Sequence, residues 1–298
     1  MNKSPGEGGR EQGIRILKIV ILARQPRPPV TRWARNRREA SLFSDAFPPI
    51  IRSSLGGPVT KITCGLAGQD VQHSHLTKLY AIAIDGPVAS GKTAVGRELA
   101  RRLSISFLDT GVMYRAVTWA ALERGIDVGD EQGLSSLAES VHMSLVPGES
   151  GDRLMVEGVD VTGHLRDAVV EEHVSQVSAV ARVRVALVEL QRAIAHQGPI
   201  VMVGRDIGTV VLENAEFKAF LQASVDVRAE RRHEELIAKG MTADLAQVKA
   251  GLAQRDKLDT ERAHSPLRPA EDAVIIETDH LGLEEVITRL MSLLGSPR

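Results

Sequence analysis

Gly86-Pro87-Val88-Ala89-Ser90-Gly91-Lys92-Thr93 has the pattern G-x-x-x-x-G-K-[ST]. Glycines permit the tight turns that aim successive backbone N–H groups at one anion, and a following helix adds the positive end of its dipole. In such a loop the lysine reaches the β- and γ-phosphates of a nucleotide, and the threonine hydroxyl holds Mg²⁺. Four fixed positions recur by chance in a chain of this size about once in a hundred at ordinary residue frequencies. The flanks fit as well. Ala81-Ile82-Ala83-Ile84 is a short apolar run of the kind that makes a buried parallel strand, and residues 92–103 carry Val95, Leu99 and Leu103 at helical spacing. The competing reading is a glycine turn that merely joins strand to helix. The loop indicates a nucleotide and leaves the reaction open. No N-K-x-D base-reading motif occurs, and the 205 residues after Thr93 suit a small phosphotransferase.

A second set of residues is cationic. Asp109-Thr110-Gly111 ends another apolar run, with Tyr114-Arg115 close behind, and Ser175 and Arg184 sit on or near a helix pair. Gly204-Arg205-Asp206-Ile207-Gly208-Thr209 follows a third run, and Arg255 to Arg262 reads RDKLDTER. Strand carboxyl ends in an α/β sheet open into one crevice, so Asp109 and Arg205 can both face the phosphate loop. The planar arginine fork binds two phosphate oxygens at once, and phosphoryl transfer needs positioned cations more than a strong base. Taken singly, each arginine reads equally well as a solvated helix charge. Arg205, at a strand end between Gly204 and Asp206, fits that reading least.

The elements that must hold these residues alternate. Strands are expected at 105–108, 200–203, 217–222 and 273–277 besides the first. Helices are expected at 113–124, 166–180, 182–196, 227–239, 242–252 and 283–294. Residues 141–146 and 154–161, around Pro147, Gly148 and Gly151, read as an antiparallel hairpin. The alternation implies an α/β fold with a parallel sheet.

Hydrophobic residues at 43% and charged residues at 25% exclude a wholly disordered or fibrous chain. No run approaches the roughly 18 apolar residues of a membrane span. A net charge of -1 and 3% aromatics argue against nucleic acid as a partner. The single cysteine, Cys64, excludes a disulfide framework and a multi-cysteine metal site, and it fits a reducing, cytoplasmic location. The charge is divided unevenly. Residues 1–78 hold 13 basic and 5 acidic residues and 7 of the 13 prolines, while the remainder is net -9. We read 1–78 as a disordered extension. A transit peptide, a partner-binding arm and a true start further downstream are the other readings. Residues 79–298 form the folded domain.

From about Tyr80 to Leu294 the chain resembles bacterial-type cytidylate kinases, nucleoside monophosphate kinases of the P-loop NTPase class. The resemblance is carried, in the family's order, by IAIDGPVASGKT, LDTGVMYRA, VDVTGHLR, VSQVSAVARVR, QRAIA, GRDIGTVV, RAERR, RDKLDTER and SPLRPAEDAVIIET. It implies a five-stranded parallel sheet flanked by helices. It also implies a monophosphate-binding insert at about 135–180 with a small antiparallel sheet, and a helical lid at about 242–265. The implied reaction is ATP with CMP or dCMP giving ADP with CDP or dCDP, with Mg²⁺, by a monomer. The implied ATP site is Gly86, Pro87, Val88, Ala89, Ser90, Gly91, Lys92, Thr93 and Ala94, with Arg231 beside it. Thr93 is the Mg²⁺ contact. The implied CMP site is Thr110, Arg115, Ser175, Arg184, Arg205, Asp206 and Asp259, with Asp259 toward the sugar. Lys92, Arg205, Arg255 and Arg262 are the implied catalytic cations. Three departures stand out, and one is the basic leader 1–78, which is no part of the family pattern. The family often has proline where Ala181 stands, which leaves the helix link here smoother. Leu258 stands where the lid often has one more arginine. Apart from the resemblance, the phosphate loop also suits an adenylate- or shikimate-kinase-like phosphotransferase, or a nucleotide sensor without turnover.

Overall fold

The computed structural model describes residues 81–148 and 151–295. The basic leader and Cys64 lie outside the described residues.

The chain opens with β1 (Ala81–Asp85), α1 (Lys92–Leu103), β2 (Ser106–Asp109) and α2 (Gly111–Glu123). An inserted segment follows: α3 (Glu131–Ser140), β3 (Met143–Gly148), β4 (Gly151–Val156), β5 (Val159–Asp160) and α4 (Ala168–Ala179). The α/β alternation then resumes with α5 (Ala181–Ala195), β6 (Ile200–Gly204), a single π-helical turn (Ile207–Val211) and β7 (Phe217–Gln222). It ends with α6 (Val225–Ala238), α7 (Leu245–Glu261), β8 (Val274–Glu277) and α8 (Leu283–Leu294).

Five strands make a fully parallel sheet in the order β2-β6-β1-β7-β8. β6, and β1 as far as Ile84, are apolar without interruption because both faces are covered, while β7 carries the buried Lys218, which donates to the Glu213 carbonyl and to Asp272. Ile82, Ile84, Val201 and Val203 face a core shared with Val95 and Leu99 of α1 and with Val286, Ile287 and Leu290 of α8. Ala83, Ile200 and Met202 face a larger core built from α2, α3, the inserted strands, α4 and α5. Burying Ile82 and Ile84 fully contributes roughly 1.5–3 kcal/mol each. Gly96 lets α1 lie close on the sheet, since a Cβ there would stand 2.5 Å from Val203 Cγ1.

The five expected parallel strands are all present. The expected hairpin is a three-stranded antiparallel sheet, β3-β4-β5, docked through Met143, Leu154 and Val156 on the larger core. Helix α3 has no counterpart in the expectations. Asp130 starts it by accepting from Gly133 N–H at 2.9 Å, and Leu134, Leu137 and Ala138 are its buried side. Between α4 and α5 the helix breaks without a proline, because Val180 adopts an extended backbone with φ -66° and ψ 119°. The smoother link expected from Ala181 is therefore not formed. Helix α7 runs to Glu261, nine residues beyond the expected end.

Candidate functional site

The carboxyl ends of β1, β2 and β6 open on one side of the sheet. β1 leads into the phosphate loop, β2 into Thr110 and β6 into Arg205-Asp206. The loop lies against β7, and a Cβ on Gly86 would stand 2.2 Å from the Leu221 carbonyl oxygen. Gly91 at φ 87° and Ala89 at φ 60° are both left-handed, and at the alanine this costs on the order of 1–2 kcal/mol. Such strain is concentrated at loops shaped for a ligand. Lys92 begins α1 and folds back so that its Nζ donates to the Pro87 carbonyl at 2.8 Å. Burial and the Arg205 charge pull its pKa well below the ordinary lysine value. Thr93 Oγ1 donates to Asp109 Oδ2 at 2.9 Å. One hydroxyl and one carboxylate fit Mg²⁺, which takes oxygen ligands and fills the remaining positions from phosphates and water. Thr93 and Asp109 would hold it.

Asp85, at the end of β1, ties the phosphate-loop strand to the turn that follows β6. Its carboxylate accepts the N–H groups of Ile207 and Gly208, each at 2.8 Å, and so anchors the π-helical turn. Burial raises its pKa to about 6, against those two backbone hydrogen bonds.

Across the cleft, Thr110 is buried and donates to the Val203 carbonyl at 3.0 Å. Arg115 Nε donates to Glu171 Oε1 at 2.8 Å. Arg184 pairs with Asp206, and both are almost wholly buried. Its Nη1 donates to the Ser178 carbonyl at 3.1 Å, and its guanidinium lies 5.3 Å from the centre of the Tyr114 ring. Arg205 Nε donates to Asp259 at 2.8 Å. Although burial opposes it, Arg205 holds the Asp259 carboxyl below its ordinary value. Arg255 Nη1 donates to Glu171 Oε2 at 2.7 Å, and Arg262 Nε to the Ser265 carbonyl at 2.6 Å. The pKa of Arg255 is lowered by burial and by Arg205, and that of Arg262 by burial and by Arg184. Arg184 Nε, Arg255 Nε, Arg262 Nη2, Ser90 Oγ and Tyr114 Oη are buried without a hydrogen-bond partner. Unpaired buried polar groups are uncommon in folded proteins, and four of these five residues line the cleft described next.

One cleft of about 590 Å³ collects these groups. Every site residue expected from the sequence lines it except Gly86, Pro87 and Ser90, which shape the loop from beneath. Ten basic side chains line it against five acidic ones, a balance that favours polyanions. Arg231 reaches its wall but spends its guanidinium on the Thr278 carbonyl and hydroxyl. Leu258 is half exposed and lies outside the cleft lining. Two residues escaped the sequence reading. Glu171 bridges Arg115 and Arg255. Arg228 grips Asp256 of α7 with both Nη groups, at 3.1 and 2.6 Å, while also donating to the carbonyls of Val88 and Ala223. RAERR drew attention to this stretch of α6, but nothing in it singled out Arg228 over Arg231. Among the described residues no group of three or more His, Cys, Asp or Glu side chains could hold a metal by itself.

The family model described as Cytidylate kinase matches residues 82–296. A cytidylate kinase of Geobacillus kaustophilus is 50% identical over 220 residues, covering 74% of this chain and 98% of that protein. One from Carboxydothermus hydrogenoformans is 47% identical over 214 residues, covering 72% and 96%. A shikimate kinase structure from Bacteroides thetaiotaomicron aligns at 18% identity and a TM-score of 0.39, covering 72% of this chain and 98% of that one.

Proposed function

The chain belongs to the cytidylate kinase family, and on that premise we propose how its residues divide the labour. The enzyme transfers the γ-phosphoryl group of ATP to CMP or dCMP, giving ADP and CDP or dCDP. The observation that carries the division of roles is the single cleft, with the phosphate loop on one wall and paired arginines on the other.

ATP lies in the loop formed by Gly86 to Ala94, its phosphates held by backbone N–H groups and by Lys92. To reach them, Lys92 gives up its bond to the Pro87 carbonyl. Arg231 stands at the outer end of this half. Thr93 and Asp109 would hold Mg²⁺, which would supply neutralising charge at the β- and γ-phosphates. CMP lies opposite, with Arg115 toward its phosphate and Ser175, Arg184 and Asp206 toward cytosine. The Arg184–Asp206 pair presents a donor and an acceptor from one rigid unit, as the edge of a pyrimidine requires. Thr110 lies between the two halves. Asp259 serves the sugar side and also fixes Arg205.

No general base is needed, because the acceptor phosphate, with a second pKa of about 6, is already a nucleophile at neutral pH. Arg205, Arg255 and Arg262 supply the cationic cage for charge that spreads over the transferring group. Two of them come from α7 and its C-terminal end. α7 within residues 242–265 therefore acts as the lid, and residues 135–180 as the acceptor insert. We place the enzyme in the cytoplasm as a monomer; among the described residues no helix is long and apolar enough to cross a membrane.

A coupled ADP-release assay with ATP, Mg²⁺ and each nucleoside monophosphate in turn tests the assignment. CMP and dCMP should give the highest kcat/KM. Preference for AMP or GMP would overturn the acceptor assignments.

A further inference from the structure

Glu171 lies on α4, within the cleft, and none of the chemistry above uses it. Its two oxygens serve different elements. Oε1 accepts from Arg115 Nε of α2 at 2.8 Å, and Oε2 from Arg255 Nη1 of α7 at 2.7 Å. Arg166 Nη1 stands 3.5 Å from Oε1. Burial alone would raise the pKa of this carboxyl, but the Arg115 and Arg255 charges hold it at about 2, so it is fully ionised in the working range. Arg255 Nε, beside this bridge, is buried and has no partner. A carboxylate shared between two guanidinium groups is the arrangement that two phosphate oxygens would also adopt, since the arginine fork fits both anions.

We propose that Glu171 is a positioning residue that stands in for the acceptor phosphate. In the nucleotide-free enzyme its carboxylate takes one hydrogen bond from each of Arg115 and Arg255, and the phosphate of CMP takes its place. This rests on the reading that Arg115 faces the acceptor phosphate, and it gives Arg255, beside the transferring group, a hold on that phosphate as well. The exchange keeps both buried guanidinium groups paired at every stage, so neither is stranded without a counter-charge. It also joins α7 to α4 before any nucleotide arrives. The acceptor must displace an internal anion, so its affinity is reduced by the fraction of molecules in the bridged form.

The sign of the affinity change on breaking the bridge separates exchange from a permanent support. CMP is titrated by calorimetry, without ATP, into the full chain and into Glu171→Gln, Glu171→Asp and Glu172→Gln. Glu171→Asp keeps the charge but is one methylene too short to span both arginines. Glu172→Gln removes the same charge from an exposed neighbour. Exchange predicts that both Glu171 variants bind CMP about three- to tenfold more tightly, with ATP affinity and the Glu172→Gln protein unchanged. Weaker or equal CMP binding in both Glu171 variants would mean that Glu171 supports the arginines in the complex, and would overturn the proposal. Tighter binding in Glu171→Gln alone would reduce the effect to bulk charge and overturn it too. If the parent protein binds another monophosphate but no CMP, the acceptor reading fails, and the same series with that monophosphate judges the exchange separately.

Discussion

Replacing Asp206 by alanine tests the acceptor wall and its energetics together. Asp206 and Arg184 are 5% and 4% exposed at the side chain, so neither charge has water to fall back on. Without Asp206, Arg184 keeps only the Ser178 carbonyl and the Tyr114 ring. A buried charge robbed of its partner costs about 3–5 kcal/mol. For a domain of about 220 residues that lowers Tm by about 10 °C. Removing both partners in Arg184→Ala/Asp206→Ala deletes the stranded charge as well. The double variant should therefore be more stable than the sum of the singles predicts, by about 2 kcal/mol. Urea denaturation of the four proteins measures the cycle. The catalytic consequence is separate. Asp206→Ala removes one polar contact from the acceptor, so KM for CMP should rise about 10- to 100-fold while KM for ATP stays within a few-fold. Additive single effects would refute the coupling. A rise in KM for ATP with CMP untouched would mean that the two nucleotide sites are interchanged.

Lys92→Ala removes the cation assigned to the β- and γ-phosphates, at a cost of several kcal/mol in the transition state; turnover within tenfold of the parent would refute the role. Asp85 titrates at about 6 in the folded chain and near 3.8 when unfolded, so the native state binds its proton first. Its contribution of roughly 3 kcal/mol is fully present below pH 3.8 and is lost as pH rises through about 6. Between pH 7 and pH 4 the parent should gain stability relative to Asp85→Asn, and parallel stability–pH curves would contradict this. The family match begins at residue 82, so a chain starting at Leu79 should phosphorylate CMP at a comparable rate and melt within a few degrees of the full chain. Early melting or aggregation of the shortened chain would show that the leader covers apolar surface.

The strands were legible because burial on both faces leaves a continuous apolar run, and the phosphate loop because its backbone geometry restricts residue type. Helix α3 was not legible. Its apolar residues are few, and its stability comes from the Asp130 cap and from packing on α2 and α5, which no local pattern reports. The second half of α7 was missed because RDKLDTER lacks an apolar stripe. Its charges are matched instead by Glu171, Arg205 and Arg228 from distant parts of the chain. The arginines of the cleft were legible as residues and not as pairs. Glu171 meets partners 56 and 84 positions away, a separation that spacing cannot reveal.

The grip of Arg228 on Asp256 gives α7 the mechanics of a lever. The helix is 17 residues long, about 25 Å, and Asp256 stands about 16 Å from one end and 7 Å from the other. With the fulcrum there, a tilt that swings Leu245 through a wide arc displaces Glu261 by less than half as much. Arg255 sits beside the fulcrum and barely translates. Arg228 also holds the Val88 carbonyl of the phosphate loop, so the fulcrum is mounted on that loop.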